Sequence, residues 1–100
     1  MKTRLQLHNE LLSFTANVYY HPPSSIKMKF PCIVYNLSNV NKTSADNMGY
    51  KYDKRYSVIY ITSVPNDDII MQLLDRFNQC SFDRHYIADG LHHYSFNMYY

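Results

Sequence analysis

The sequence predicts an α+β domain: a mostly antiparallel sheet of four to five strands with two helices packed on one face, in the order helix, strands, helix, hairpin. Three observations carry that expectation. Leu7, Leu11, Phe14 and Val18 repeat at helical spacing near the start. Apolar and polar residues alternate at the strand period over much of residues 26–38 and 50–63. Between these strands and two final extended runs lies Pro65-Asn66-Asp67-Asp68, the composition of a helix start. One hundred residues suffice for one modest core, so a single domain spans 1–100.

Thr3 is placed to cap the first helix, which the apolar spacing carries to about residues 16–19. Leu5, Leu12 and Ala16 form a second ridge roughly on its far side, which a helix lying on a sheet in a monomer does not need; either fraying and tolerated exposed leucines or a neighbouring subunit packing there accounts for it. Pro22 and Pro23 then stop the helix, because proline lacks an N–H and clashes with the preceding turn. Ile26, Met28 and Phe30 alternate with Ser25, Lys27 and Lys29 as an edge strand that Pro31 interrupts. The run Cys32-Ile33-Val34-Tyr35 opens a more buried strand, expected to end near residue 38.

Residues 38–49, rich in Asn, Ser and Asp, read as a polar loop, since such side chains bond locally to the backbone. From Tyr50 the tyrosines at 50, 52, 56 and 60 share one strand face with Lys54 and Val58, and Ile59 and Ile61 make the second half apolar on both faces. In the second helix Ile69, Ile70, Leu73, Leu74 and Phe77 supply one apolar face. Asp89-Gly90 suits a two-residue type I′ turn, with Tyr94, Phe96 and Met98 on one face of the closing strand and His93, Ser95 and Asn97 on the other.

Composition narrows function mainly by exclusion. With 46% hydrophobic and 18% charged residues the chain is not disordered. Its basic start is broken by Gln6, His8, Asn9 and Glu10, unlike a signal peptide, and no apolar run reaches the ~20 residues of a membrane span. A soluble protein made inside the cell is expected. Cys32 and Cys80 lack close metal or redox spacing and read as free thiols. Two glycines cannot build a phosphate-cradling loop, and no catalytic motif appears, so neither an enzyme nor a cofactor is expected. His92 and His93 point to opposite faces of a strand, and His85 across the hairpin can join only one of them, so ordinary surface histidines are expected.

The unusual number is eleven tyrosines. Tyrosine suits half-buried sheet faces and protein interfaces alike, with an apolar ring and a wet tip. A rival use is a single-stranded nucleic-acid-binding module, with Tyr50, Tyr52 and Tyr56 stacking on bases and Lys51, Lys54 and Arg55 on phosphates. A net charge of +2 and the interspersed Asp53 fit a solvated strand face better than a phosphate track.

In order along the chain stand an amphipathic helix, Tyr19-Tyr20-His21-Pro22-Pro23, the segment MKFPCIVY at 28–35, a polar stretch with Asp46, Asn47 and Tyr50, the strand RYSVIYI at 55–61, an acidic helix start, and the hairpin DRHYIADGLHHYSFNMYY at 83–100. This whole-chain pattern resembles the tail terminator, or tail completion, proteins of long-tailed bacteriophages. The resemblance implies a structural virion protein and no catalysis. Its copies form a homo-oligomeric ring, commonly a hexamer, on the head-proximal end of the tail tube. The ring stops polymerisation of the tail tube protein and presents the docking surface for the head-completion or neck protein. DNA passes through the lumen only in transit, and no membrane is involved. The implied location is the virion tail, assembled in the host cytoplasm. Mapped onto this chain, the expected subunit or tube contacts are Leu5, Leu12, Asp46, Asn47, Tyr50 and Tyr52.

Overall fold

The computed structural model describes residues 3–22, 27–45 and 49–100, with the backbone alone described at residues 43–45, 50 and 51. The elements are α1 (Arg4–Leu11), β1 (Val18–Tyr20), β2 (Cys32–Ala45), β3 (Gly49–Thr62), α2 (Asp68–Arg76), β4 (Cys80–Ala88) and β5 (Leu91–Tyr99). They form the expected α+β arrangement of two helices and one five-stranded sheet, ordered β1-β2-β3-β5-β4. All neighbours are antiparallel except β1, which runs parallel to β2 through Val18↔Ile33 and Tyr20↔Tyr35.

The core lies between the helices and one sheet face. Leu7 and Leu11 of α1, and Ile69 and Leu73 of α2 with Phe77 just after it, pack on Ile33, Tyr35, Tyr56, Val58, Tyr60, Tyr94, Phe96 and Met98. The strand residues alternate as the pleat requires. Buried tyrosines need partners for their hydroxyls, and Tyr35 and Tyr94 find theirs at the two helices. The Tyr35 hydroxyl lies 2.7 Å from His8 Nδ1 and accepts from Arg4 Nη1 at 3.3 Å, which seats α1 on β2. Tyr94 accepts the Asn66 N–H at 3.0 Å and donates to Asp67 Oδ1 at 3.1 Å, which fixes the start of α2. Asp67 is therefore turned to Tyr94 and makes no side-chain cap bond to its own helix. Tyr100 donates to Glu10, whose carboxylate also meets Arg76 Nη2 at 3.3 Å, tying the end of α2 to α1.

Three local expectations are corrected. The first helix stops at Leu11, although Thr3 caps it as expected, in a capping box with Gln6. Ser13, Thr15 and Asn17 unwind the chain beyond it: Ser13 Oγ donates to the Glu10 carbonyl, and Thr15 Oγ1 and Asn17 Nδ2 both donate to the Pro31 carbonyl. Phe14 and Val18 still reach the core, from a turn and from β1. Second, residues 27–30 form no strand, because β1 occupies the edge of β2 where they would have paired; Ile26 lies outside the described residues. Third, most of the expected polar loop at 38–49 is strand, with β2 running to Ala45 and β3 beginning at Gly49. A bulge at Ser38 shifts the register, and Ser38 itself bonds to Arg55 across the ladder, so its local hydrogen bonding reinforces the pairing.

The turn at Asp89 and Gly90 has φ of +54° and +73°, the left-handed pair that type I′ demands. Both cysteines are free thiols; Cys32 is buried and Cys80 partly so.

Replacing Tyr94 by Phe leaves the Asn66 N–H without its acceptor and is expected to cost about 1–3 kcal/mol, read as a lowered denaturant midpoint at unchanged m-value. Burial raises the hydroxyl pKa of Tyr35, Tyr56 and Tyr94, and burial followed by contact with Glu10 pushes Tyr100 up to about 12. The unfolded chain releases these protons near pH 10 while the folded chain still holds them, so stability is full below pH ~10 and falls as pH rises above it. Urea midpoints measured from pH 8 to 11.5 check this.

Candidate functional site

Strands β2 and β3 are fourteen residues each, whereas β4 and β5 are nine and β1 is three. Among the described residues the mismatch leaves part of the central hairpin without a flanking strand. On one side β1 covers β2 only as far as Tyr35, where its ladder is closed by His21: the His21 N–H donates to the Tyr35 carbonyl and its Nε2 accepts the Leu37 N–H. On the other side β5 ends opposite Arg55, with one last bond from the Tyr100 N–H to the Lys54 carbonyl. Beyond these points residues 38–45 and 49–54 form a two-stranded arm, about 20 Å long at ~3.4 Å per residue. The arm accounts for the elongated outline of 51 × 30 × 22 Å.

A two-stranded ribbon is marginally stable in water without a third strand or an apolar cover. The helices do not extend over the arm, yet its helix-side face carries apolar groups: Val40, paired with Lys54, is 46% exposed, and Tyr52, paired with Lys42, is 44% exposed. Where the arm leaves the sheet, Tyr52, Asp53 and Lys54 meet Glu10, Arg76, Asn78, Gln79, Tyr99 and Tyr100 in a groove of ≈ 360 Å³. It mixes cations, carboxylates and tyrosines, with Glu10 already engaged by Arg76 and Tyr100.

The far edge of the sheet has a related character. β4 is the terminal strand, and its helix-side residues Phe82, His85 and Ile87 are all exposed, Ile87 at 63%. His85 stacks on Tyr94 and places Nε2 3.0 Å from His92 Nδ1. That contact joins two of the three hairpin histidines, while His93 stacks on Tyr86 on the opposite face. Among the described residues no group of three metal-ligating side chains exists, so the pair has no third ligand there.

The sequence-selected residues do not converge on one spot. Leu5 on α1 and Leu12 at its C-cap are exposed, at 64% and 40%, but the helix ends at Leu11, so Ala16 does not continue them into the expected second ridge. Tyr52 lies on the arm and lines the groove. Tyr50 belongs to the arm through the backbone of β3, and Asp46 and Asn47 lie outside the described residues. Tyr56 is buried in the core at 2% exposure, which removes it from any stacking platform with Tyr52. Sequence reasoning missed Val40, Phe82 and Ile87 as exposed apolar groups, and it missed the arm. A usable signal was present: a strand running from 50 to 63 needs a partner of equal length, and only residues 32–45 can supply one through a tight connection.

Burial pushes both thiols up to about 11, so neither resembles an activated nucleophile. No helix among the described residues is long and apolar enough to cross a membrane. Set beside protein-family models, curated proteins and solved structures, the chain matches none.

This geometry has two measurable outcomes. In dilute solution the amides of residues 39–45 and 49–53 exchange with deuterium faster than those of residues 56–61, because the arm opens without unfolding the core; exchange resolved by mass spectrometry reads the difference. Alkylation of Cys32 and Cys80 by iodoacetamide at pH 8 is slow in the folded protein and at least ~10-fold faster in urea, where the thiol pKa returns to near 8.5.

Proposed function

We propose that this chain is an assembly protein whose copies close head-to-tail into a ring, and that the ring is the tail terminator of a long-tailed bacteriophage. The first step is supported above all by one observation: a sheet whose central hairpin projects as an uncovered arm at one end and whose terminal strand shows apolar residues at the other. Two different unsatisfied surfaces on one chain suit heterologous contacts, which close when the rotation between copies permits. The second step is supported by the ordered resemblance along all 100 residues.

On this reading a ring of six subunits caps the head-proximal end of the tail tube and blocks further addition of the tail tube protein. The ring's other surface receives the head-completion or neck protein. The exposure of Leu5 on α1, of Leu12 at its C-cap and of Tyr52 on the arm supports a part for them in such contacts. A net charge of only +2 is compatible with a lumen through which DNA passes without being held. The work is done by complementary surfaces, with no catalytic step and no cofactor.

Polymerising tail tube protein with and without this chain tests the proposal. Negative-stain images are expected to show extra density at one tube end and tubes that no longer lengthen once the chain is added. Unchanged tube growth with bare ends would overturn it. Submicromolar binding of single-stranded DNA that weakens steeply with salt would favour the nucleic-acid reading instead.

A further inference from the structure

We propose that neighbouring copies join by strand addition: the outer edge of the arm in one copy, residues 38–45, pairs with the outer edge of β4 in the next. The contact gives a physical basis to the ring-forming reading and rests on it for its biological meaning.

Four features of the chain converge on this pairing. Both partners are open edges. β4 ends the sheet, and β2 beyond Leu37 has no neighbour on its outer side among the described residues. Their lengths agree, since β4 has nine residues and the part of β2 beyond its last contact with the β1 segment covers 38–45. Side-chain phase agrees as well. Val40 lies on the helix side of the sheet through its pairing with Lys54, two residues from the core-facing Tyr56. Phe82 and Ile87 lie on that same side through Phe96 and His92. Continuing one sheet into the next therefore brings Val40 beside Phe82 or Ile87, and exposed apolar side chains cover one another. Lastly, the charges are opposed. Residues 38–54 carry Lys42, Lys51 and Lys54 against Asp46 and Asp53. Residues 64–90 carry Asp67, Asp68, Asp75, Asp83 and Asp89 against Arg76 and Arg84. A cationic arm meeting an anionic α2–β4 half favours arm-to-β4 contact over arm-to-arm contact, where like charges face each other.

The bulge between Phe82 and Arg84 is part of the same design. Its extra residue, Asp83, stays exposed, and the Asp83 carboxylate accepts a hydrogen bond from Ser95 Oγ at 3.3 Å and lies 3.9 Å from Arg84 Nε. Residues 84–88 remain as a regular edge, and the interruption above them limits which registers an incoming strand can take. In this form of recognition the backbone ladder supplies affinity and the alternate side chains supply register.

Val40→Asp and Ile87→Asp separate the two surfaces, and both sites are exposed enough that each variant is expected to keep the wild-type circular dichroism spectrum and melting temperature. In sedimentation velocity the wild type assembles with rising concentration, and each variant alone loses self-association by about ten-fold or more. Mixed one to one, the variants form a heterodimer and nothing larger, because one intact arm and one intact β4 edge remain in each pair. Hydrogen exchange on the assembled wild type shows added protection in residues 38–45 and 84–88.

Single variants that assemble like the wild type would overturn the contact, as would a mixture that gains no heterodimer. A wild type still monomeric at about 1 mM would overturn it too. Rings that form and cap tubes despite both substitutions would sink this contact and leave the terminator reading standing. Assembly through this contact that never caps tubes would do the reverse.

Discussion

The pairing of β2 with β3 is the constraint on which the rest of this molecule depends. Its lower half is the floor of the core: Ile33, Tyr35, Tyr56, Val58 and Tyr60 present one face to both helices, and β1 and β5 take their places along its two sides. Its upper half continues the same ladder past the point where either neighbour can follow. A single register therefore determines both the packed domain and the projecting arm. A slip of one residue would turn Tyr56, Val58 and Tyr60 out of the core, so the arm's faces are held in phase by burial that occurs elsewhere.

The tyrosines let one strand pair serve both ends. In the lower half the rings of Tyr35, Tyr56 and Tyr60 fill the core, and the hydroxyls of Tyr35 and of Tyr94 and Tyr100, on and just after the neighbouring β5, bond groups in and beside the helices. Tyr35 meets Arg4 and His8, and Tyr94 meets Asn66 and Asp67. Tyr100 meets Glu10 near the end of the second helix. Higher on the hairpin the same residue type at the same alternate spacing leaves Tyr52 half in water. Buried and half-exposed tyrosine rings thus occur at different heights of the same strand pair.

Much of the fold was legible in the sequence because long-period signals come from burial. The apolar stripe of α2, the alternating face of β3 and the Asp-Gly turn all appear where they were expected. Ends and edges were not legible. The stripe Leu7, Leu11, Phe14 and Val18 is a genuine set of core residues, yet Ser13, Thr15 and Asn17 divide it between a helix, a turn and a parallel strand, in part through bonds to Pro31. Asn-rich residues 38–45 look like a loop until the fourteen-residue partner is counted, because cross-strand pairing overrides their local preference. Of the candidate site, the exposure of Leu5 and Leu12 was foreseeable from periodicity, whereas that of Tyr52 was not, because its spacing is the same as that of the buried Tyr56 and Tyr60. The open edges were not, since strand order is a property of the whole sheet.

The molecule is a domain completed inward and left incomplete outward, and the central claim is that copies of itself close that incompleteness. Native mass spectrometry across a dilution series of the purified chain measures this most directly. The predicted result is two populations, monomer and one closed species of fixed stoichiometry, exchanging with concentration and with few intermediates. A monomer at every concentration, or an open-ended ladder of oligomers with no preferred size, would contradict it.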